Sequence, residues 1–478
     1  MAPLPRTFAV FTFMIEPRRA RALPTVVPRT SHPSLPRRTP MRLPTFIVAS
    51  GALAFSLLLA PASDARAQST DPSLDPRIQE LVRSVDPDRL QAIVERLASF
   101  GTRHTLSTTE HPEWGIGAAR QWMLEEMASY SDRLEVSFDA YDVEPGGRIQ
   151  VRTDLRNVQA ILPGRSDRRI YVSGHYDSVV YGDYDEDAVP QAPTDGQWDN
   201  YAPGANDDAS GTAIAMELAR IFAQSGLEFD ATLVFIGFAG EEQGLVGARL
   251  HAERMVEEEV EITAVFNNDM IGNSTGGTGI VDSRTVRIFS PGPEDSISRQ
   301  LARYIRRIGS LYVPGHEIRL IAREDRFGRG GDHTPFNQNG FAGVRFTESR
   351  ENFERQHTVL DTPDGVDPAY LADNARVNVA GVASLALAPP APGVSFNMLR
   401  RGGGYDAQIQ WRQVEGAAGY RIVWREAWTP DWEHSLYVGD VTEFILEDIS
   451  IDDYVFGVAA VGPGGHESLV SAYVRPPR

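Results

Sequence analysis

The stretch from Val234 to Gly244 constrains the fold more than any other part of this chain. Residues 233–236 are apolar and partly β-branched, as expected for a parallel strand that is covered on both faces. Small residues then allow a tight bend, and two adjacent carboxylates, Glu241 and Glu242, follow. Ligands bind at the carboxyl ends of strands in open α/β sheets, and paired carboxylates there need a cation or a shared proton. The stretch predicts a site at a strand end, while a solvated turn before a helix stays open as the alternative.

The composition excludes several kinds of chemistry. The 478 residues include no cysteine and no lysine, so thiolate ligands, thiol nucleophiles, disulfides and lysine Schiff bases are all impossible. The formal net charge of −19 argues against nucleic acid or anionic lipid as a partner. Ten histidines and 65 acids leave ample material for a metal site.

The N-terminal residues have the pattern of a secretory signal over 41–67. Met41 and Arg42 give a basic start, residues 46–60 form a short apolar core, and Ala65-Arg66-Ala67 is a plausible cleavage site. We therefore expect a secreted or periplasmic protein without a stable membrane span in its mature form, a retained anchor being the alternative. Residues 1–40 are rich in Arg and Pro and are expected to precede a true start at Met41.

The middle of the chain alternates between strand and helix periodicity from about residue 134 to residue 387. This alternation is typical of an α/β fold with a doubly wound, mainly parallel sheet and helices on both faces. Amphipathic helices are expected at 88–98 and 117–130, and strands at 134–141 and 149–162.

A second, smaller domain is predicted at the C-terminus. The Pro-rich residues 389–393 read as a linker, and the residues after them change to short alternating strands. The expected organisation is a leader at 1–67, an α/β domain at 75–388 and an all-β sandwich at 394–478.

Five side chains at predicted strand ends, or in the loops that follow, are candidate metal ligands. They are two histidines and three carboxylates: His175, Asp207, Glu242, Asp269 and His357. Such a set suits two Zn²⁺ ions bridged by one carboxylate, a pair that can orient water and polarise a carbonyl. Any one of these residues alone would more often be structural.

The ordered set of motifs resembles a known family. The motifs are His175-x-Asp177, Asn206-Asp207-Asp208-Ala209-Ser210-Gly211, Glu241-Glu242-Gln243-Gly244-Leu245-x-Gly247, Asn268-Asp269-Met270, Gly331-Asp332-His333-x-Pro335-Phe336 and His357-Thr358. Over about residues 90–387 the chain resembles the co-catalytic zinc aminopeptidases, which include bacterial leucyl aminopeptidases and glutamate carboxypeptidase. The tail resembles a fibronectin type III domain through Trp411, Gly419-Tyr420 and Tyr454-x-Phe456.

The resemblance implies two Zn²⁺ ions and a division of the ligands between them. His175 and Asp269 would bind one ion, Glu242 and His357 the other, and Asp207 would bridge the two.

The resemblance also implies roles for residues beside the ligands. Glu241 would be the general base that takes a proton from water and passes it to the leaving amine. Asp177 would orient the His175 imidazole, and Asp208 would follow the bridging carboxylate through a cis peptide bond.

One position departs from the family pattern. Many relatives place a tyrosine before the final histidine, where its hydroxyl supports the oxyanion, but this chain has Gln356 there. His333 or Arg329 are the candidates for that donor, and a loop-stabilising hydrogen bond is an equal alternative for His333.

The resemblance leads us to expect a secreted zinc exopeptidase, an aminopeptidase acting on the N-termini of peptides or proteins. Two rivals share the fold: a glutaminyl cyclase-like acyltransferase, which would bind one zinc, and a carboxypeptidase, which would need a cationic pocket. A binding protein with a vestigial site is a third alternative, disfavoured by the complete ligand set.

Overall fold

An eight-stranded mixed sheet organises the larger part of the protein. The computed structural model describes residues 74–474, so the expected leader and its signal at 41–67 lie outside the described residues. The strands are β1 (Glu135–Val143), β2 (Thr153–Leu162), β3 (Ser166–His175), β4 (Ala231–Phe238), β5 (Ile262–Asn268), β6 (Thr285–Phe289), β7 (Glu317–Ile321) and β8 (Gly343–Glu348). Their spatial order is β1-β2-β4-β3-β5-β8-β6-β7.

The centre of this sheet is parallel. Strands β4, β3, β5 and β8 run in one direction, so their carboxyl ends meet at the same edge. The pairs β1–β2, β2–β4 and β6–β8 are antiparallel. The predicted α/β fold class is confirmed, and the parallel centre creates the edge at which ligands bind in such sheets.

Helices cover both faces of the sheet. They are α1 (Pro76–Arg83), α2 (Pro87–Ala98), α3 (Gly115–Ala128), α4 (Ser210–Gln224), α5 (Val246–Glu257), α6 (Ile297–Tyr312), α7 (His333–Gln338) and α8 (Pro368–Ala386). Asp86 and Asp367 cap α2 and α8 by accepting hydrogen bonds from backbone N–H groups of the first turn, and proline follows each cap.

Strand β4 shows why the sheet is doubly covered. Its eight residues are all buried, and alternate side chains enter different cores. Leu233 and Phe235 pack into the larger core with helices α2, α4, α6 and α8, whereas Val234 and Ile236 pack with α5 and α7. The continuous apolar run of β4 therefore reflects burial on two faces rather than one.

The C-terminal part consists of two small antiparallel sheets around a separate core. One sheet has the order β13-β10-β9 and the other β12-β11-β14-β15. The strands are β9 (Leu399–Arg401), β10 (Ala407–Gln410), β11 (Gly419–Glu426), β12 (His434–Gly439), β13 (Glu443–Leu446), β14 (Tyr454–Val461) and β15 (Ser471–Ala472). Trp411, Tyr420 and Phe456 are buried in this core. These sheets agree with the all-β pattern, while the fibronectin type III assignment and the domain boundaries stay predictions.

Some expected elements differ from the structure. The strand expected at 149–162 begins only at Thr153, and the helix expected at 117–130 occupies Gly115–Ala128. Strands β6 and β7 were not predicted, because each has only five residues and β7 lies at the sheet edge, where burial gives little pattern. Within residues 74–474, every helix is too short or too polar to cross a bilayer.

Candidate metal centre

The candidate ligands converge at the carboxyl edge of the parallel strands. His175 ends β3, Glu242 follows β4 after a short bend, and Asp269 directly follows β5. Asp207 lies in the turn Ala205–Ala209 that precedes α4, and His357 lies in the loop after β8. The three parallel strands thus explain why residues so far apart in sequence meet at one place.

Asp207 stands between the two histidines. Its Oδ1 lies 3.2 Å from His175 Nε2, and its Oδ2 lies 3.0 Å from His357 Nε2. Each histidine faces a further carboxylate: His175 Nε2 is 4.0 Å from Asp269 Oδ1, and His357 Nε2 is 3.2 Å from Glu242 Oε1. The arrangement is a chain of five side chains with one carboxylate at its middle.

The donor atoms form overlapping groups that fit metal ions. His175, Asp207 and Asp269 form one group, and Asp207, Glu242 and His357 form another, with ligand atoms within 4.8 Å of one another in each. Imidazole nitrogens and carboxylate oxygens are the donors that zinc takes in proteins. Glu242 Oε1 is buried and lies 3.2 Å from His357 Nε2, so one cation could contact both atoms.

A third group complicates the division of roles. His175, Glu241 and Glu242 also bring ligand atoms within 4.8 Å of one another. Glu241 therefore lies close enough to act on anything bound between the histidines.

The electrostatics of the cluster show acids that need positive partners. Burial raises the pKa of Asp207, but hydrogen bonds with His175 and His357 outweigh it and hold that pKa well below its usual value. Burial lowers the pKa of His357, but contacts with Asp207 and Glu242 raise it to about 10. Burial, with the neighbouring Glu242 and Asp269, raises the pKa of Glu241 well above its usual value. An imidazole nitrogen must be unprotonated to bind a metal ion, so metal binding at these histidines competes with protons.

Asp177 contacts the His175 imidazole mainly through its backbone carbonyl. The carbonyl oxygen of Asp177 lies 3.1 Å from His175 Nδ1, whereas its carboxylate is 3.6 Å away. That carboxylate accepts hydrogen bonds from the backbone N–H groups of Glu241 and Glu242, each at 3.2 Å. Asp177 therefore orients the imidazole through its main chain and holds the Glu241-Glu242 bend through its side chain.

Asp208 ties together three segments of the centre. Its Oδ2 accepts from the N–H of His175 at 3.0 Å, and its Oδ1 accepts from Gly211 at 2.8 Å and Met270 at 3.2 Å. The peptide bond between Asp207 and Asp208 is cis.

Sequence reasoning missed two residues that support Asp207. Asp361 Oδ2 accepts from the N–H of Asp207 at 2.9 Å, and Asp361 Oδ1 accepts from Asn206 at 3.0 Å. Gln356 Nε2 donates to Asp207 Oδ2 at 2.9 Å, so the residue that departs from the family pattern contacts the central carboxylate.

Arg345 was also missed. It lies in β8, is fully buried, and its Nη2 is 2.8 Å from Asp269 Oδ1 while its Nη1 is 2.9 Å from Asp325 Oδ2. A single arginine inside an apolar strand, Val344-Arg345-Phe346, was the available signal, because such a residue is buried only with acid partners.

The two candidate oxyanion donors lie in different environments. His333 is fully buried, its Nε2 lies 2.8 Å from the carbonyl oxygen of Glu324, and burial lowers its pKa to about 4. Arg329 is exposed, and its Nη1 donates to Gln356 Oε1 at 3.3 Å. Of the two, only Arg329 lines the pocket above the metal centre.

The pocket has a volume of about 360 Å³ and mixed charge. Its acidic floor comes from the candidate ligands and Glu241, and three arginines line it as well: Arg148, Arg326 and Arg329. Arg326 is paired with Asp325 and Glu351, whereas Arg148 and Arg329 form no ion pair with any acid within residues 74–474.

Known proteins place this constellation in a family. Residues 157–382 match peptidase family M28. A protein of Pyricularia oryzae described as a probable zinc metalloprotease is 41% identical over 440 residues, which cover 82% of this chain and 84% of that protein. A protein of Leptosphaeria maculans with the same description is 37% identical over 437 residues, covering 83% and 96%. The chain belongs to peptidase family M28.

A solved structure extends this M28 assignment to the fold. LapA of Legionella pneumophila, described as an aminopeptidase, superposes with a TM-score of 0.50 at 18% sequence identity. The match covers 65% of this chain and 74% of LapA. At that identity the likeness concerns the fold alone.

Proposed function

We propose that this zinc metallopeptidase of family M28 is a dinuclear exopeptidase that removes residues from the N-termini of peptides. The observation that carries the proposal is Asp207, whose two carboxylate oxygens each face one histidine at 3.0–3.2 Å. A carboxylate in that position can share its oxygens between two cations, and each histidine brings its own second acid.

The proposed reaction uses Glu241 as the base. When bound, zinc polarises the scissile carbonyl and lowers the pKa of water. Glu241 takes a proton from the attacking water as the new C–O bond forms, and gives a proton to the leaving nitrogen as the C–N bond breaks. His175 and Asp269 would hold one cation, and Glu242 and His357 would hold the other.

The size of the pocket favours an exopeptidase. A volume of about 360 Å³ lies at the lower end of the usual range for ligand pockets, roughly 300–1,000 Å³. Such a pocket accommodates one terminal residue and its neighbouring peptide bond better than an extended chain on both sides of the cleavage point.

A carboxypeptidase is the second candidate. Arg148 and Arg329 line the pocket without an acidic partner in the described part of the chain, and an unpaired guanidinium can bind a substrate carboxylate. The glutaminyl cyclase-like alternative differs in needing one metal ion instead of two.

A substrate panel separates these candidates. We expect hydrolysis of aminoacyl substrates with a free amine, no hydrolysis of N-acetylated ones, loss of activity with chelator and recovery with zinc. Cleavage of N-blocked substrates that requires a free C-terminal carboxylate would instead identify a carboxypeptidase. Cyclisation of N-terminal glutamine with one zinc per chain would identify the acyltransferase.

We further propose that the protein is exported and that its substrates are peptides or protein N-termini rather than nucleic acids. The pattern over 41–67 and the acidic composition support this. N-terminal sequencing of the mature protein tests it: export predicts a start shortly after residue 67, and a mature protein that retains residues 41–67 contradicts it.

A further inference from the structure

Gln356, the residue that departs from the family pattern, has both polar atoms of its side chain hydrogen-bonded within the protein. Gln356 Nε2 donates to Asp207 Oδ2 at 2.9 Å, and its Oε1 accepts from Arg329 Nη1 at 3.3 Å. Both polar atoms of this side chain are therefore used within the protein, and Gln356 supports Asp207 instead of facing the scissile bond.

The neighbouring donors are also engaged elsewhere. His333 is buried against Glu324 and does not line the pocket. Arg326 Nε and Nη1 contact Asp325 and Glu351 at 3.0 and 2.9 Å. Arg148 Nη1 donates to the carbonyl oxygen of Glu242 at 2.8 Å, so this guanidinium is anchored to the bend by at least one of its donors.

Tyr181 differs from all of these donors. Its backbone N–H donates to the carbonyl oxygen of His357 at 2.9 Å, and its ring stands edge-on to the His357 ring with centroids 5.1 Å apart at 90°. The side chain is 52% exposed and lines the pocket together with Glu241 and Glu242. Within residues 74–474 its hydroxyl makes no hydrogen bond, so a phenol donor is held beside a candidate ligand and remains available.

We propose that Tyr181 is a catalytic residue whose hydroxyl donates a hydrogen bond to the oxygen of the scissile carbonyl. As water adds to the carbonyl carbon, the π electron pair moves to that oxygen, and it returns when the C–N bond breaks. Tyr181 keeps its proton throughout, and its hydrogen bond stabilises the negative charge on the former carbonyl oxygen while that charge exists. The donor thus comes from the loop after β3 and not from the loop that carries His357. This inference rests on the proposed function, because it assumes that the site cleaves a peptide bond.

The test is Tyr181→Phe, which keeps the ring and removes only the hydroxyl. Loss of one oxyanion donor typically lowers kcat by about 10²–10³-fold, and we expect that range with KM little changed and zinc content unchanged. Tyr184→Phe is the matched control, because Tyr184 lies three residues later in the same loop and does not line the pocket. That control should behave as the wild-type protein.

A binding measurement provides a readout that does not depend on turnover. A peptide phosphonate presents a charged tetrahedral group in place of the scissile carbonyl, so its Kd should rise by about tenfold or more in Tyr181→Phe. The Kd of a free amino acid product, which lacks that group, should stay within about twofold, as expected of an interaction made only in the transition state.

Several results would overturn the proposal. They are a kcat of Tyr181→Phe within about threefold of wild type, a lower kcat that comes with loss of zinc, and equal weakening of phosphonate and product. Failure of the proposed function is a different result: the wild-type protein would not act on free-amine substrates. In that case the ratio of the kcat of Tyr181→Phe to that of the wild-type protein can be measured on any peptide substrate that is cleaved. The comparison of phosphonate Kd values needs no cleavage.

Discussion

Two regions of the molecule that contain buried charged side chains are balanced differently. At the junction between α6 and the C-terminal sheets, both carboxylate oxygens of Asp295 accept from Arg425 Nη2 at 2.8 Å. The guanidinium groups of Arg303 and Arg425 also lie over the ring of Trp432, with 5.9 and 5.6 Å to its centroid. Asp295, Asp431 and Glu467 at this junction each pair with an arginine.

The metal centre has no such balance. Four carboxylates, from Asp207, Glu241, Glu242 and Asp269, meet two histidines, and within residues 74–474 only Asp269 among them has an arginine partner, Arg345. Matched buried charge is explained by structure alone, whereas unmatched acids in a pocket indicate a site for cations. The comparison therefore separates a structural ion-pair cluster from a functional one, and substitutions in each should have different consequences.

The largest expected effect is on turnover at the metal centre. Glu241→Gln should lower kcat by about 10²–10⁴-fold, because removing the general base leaves the metal ligands in place. Zinc content, measured on the same preparation, should stay at the wild-type level. Glu253→Gln in α5 is the control, since Glu253 forms its ion pair within residues 74–474 with the exposed Arg249.

A Glu241→Gln protein with near-normal turnover and full zinc would remove Glu241 from the role of base. Loss of zinc in the variant would instead make Glu241 a ligand, as the group His175, Glu241 and Glu242 permits.

Substitutions at the junction should lower the free energy of unfolding and leave kcat unchanged. Arg425→Ala removes the guanidinium that contacts Asp295 at 2.8 Å and leaves it only Arg303 at 3.7 Å, and breaking a buried ion pair costs up to about 3–5 kcal/mol of the free energy of unfolding. Arg401→Ala removes an exposed pair with Asp452 and should cost less than about 1 kcal/mol. Denaturant unfolding of both variants, with kcat measured beside it, checks the contrast. Equal losses in the two variants, or a large fall in kcat for Arg425→Ala, would remove the distinction between the two regions.

The smallest expected effect concerns acid pH at Asp75, the N-cap of α1, which contacts His466 of the C-terminal part. Asp75 accepts from Arg77 and lies 3.0 Å from His466 Nε2, and the hydrogen bond with Arg77 lowers its pKa to about 2. A folded pKa below the unfolded value means that the stabilisation is complete above pH ~4 and is lost as pH falls towards 2. The difference in unfolding free energy between wild type and Asp75→Asn should therefore shrink over that window. A difference that is constant from pH 2 to 7 would contradict this account.

Much of the metal centre could be predicted from sequence because its residues follow strand ends. The apolar runs before His175, Glu242 and Asp269 mark parallel strands, whose carboxyl ends meet at one edge. The partners of these residues carry no such pattern. Arg345, Asp361 and Gln356 contact ligands from other strands and loops, so their roles depend on distances that only the folded chain defines.

In the fold, too, the elements with a clear local sequence pattern could be predicted and the others could not. The buried strand β4 has a clear apolar run, whereas the five-residue strands β6 and β7 have too few residues for periodicity to stand out. The Pro-rich residues 389–393 marked a change of pattern, but no local signal indicated that Arg425 would pair with Asp295 across the junction.

Metal analysis of three variants tests the central claim most directly. If Asp207 bridges two zinc ions, the wild-type protein should hold two per chain, His175→Ala and His357→Ala should each keep about one, and Asp207→Asn should weaken both sites. Stoichiometry after dialysis against a mild chelator, with circular dichroism to verify folding, gives these values. An Asp207→Asn protein that is folded and still holds two zinc ions as tightly as wild type would contradict the bridging role.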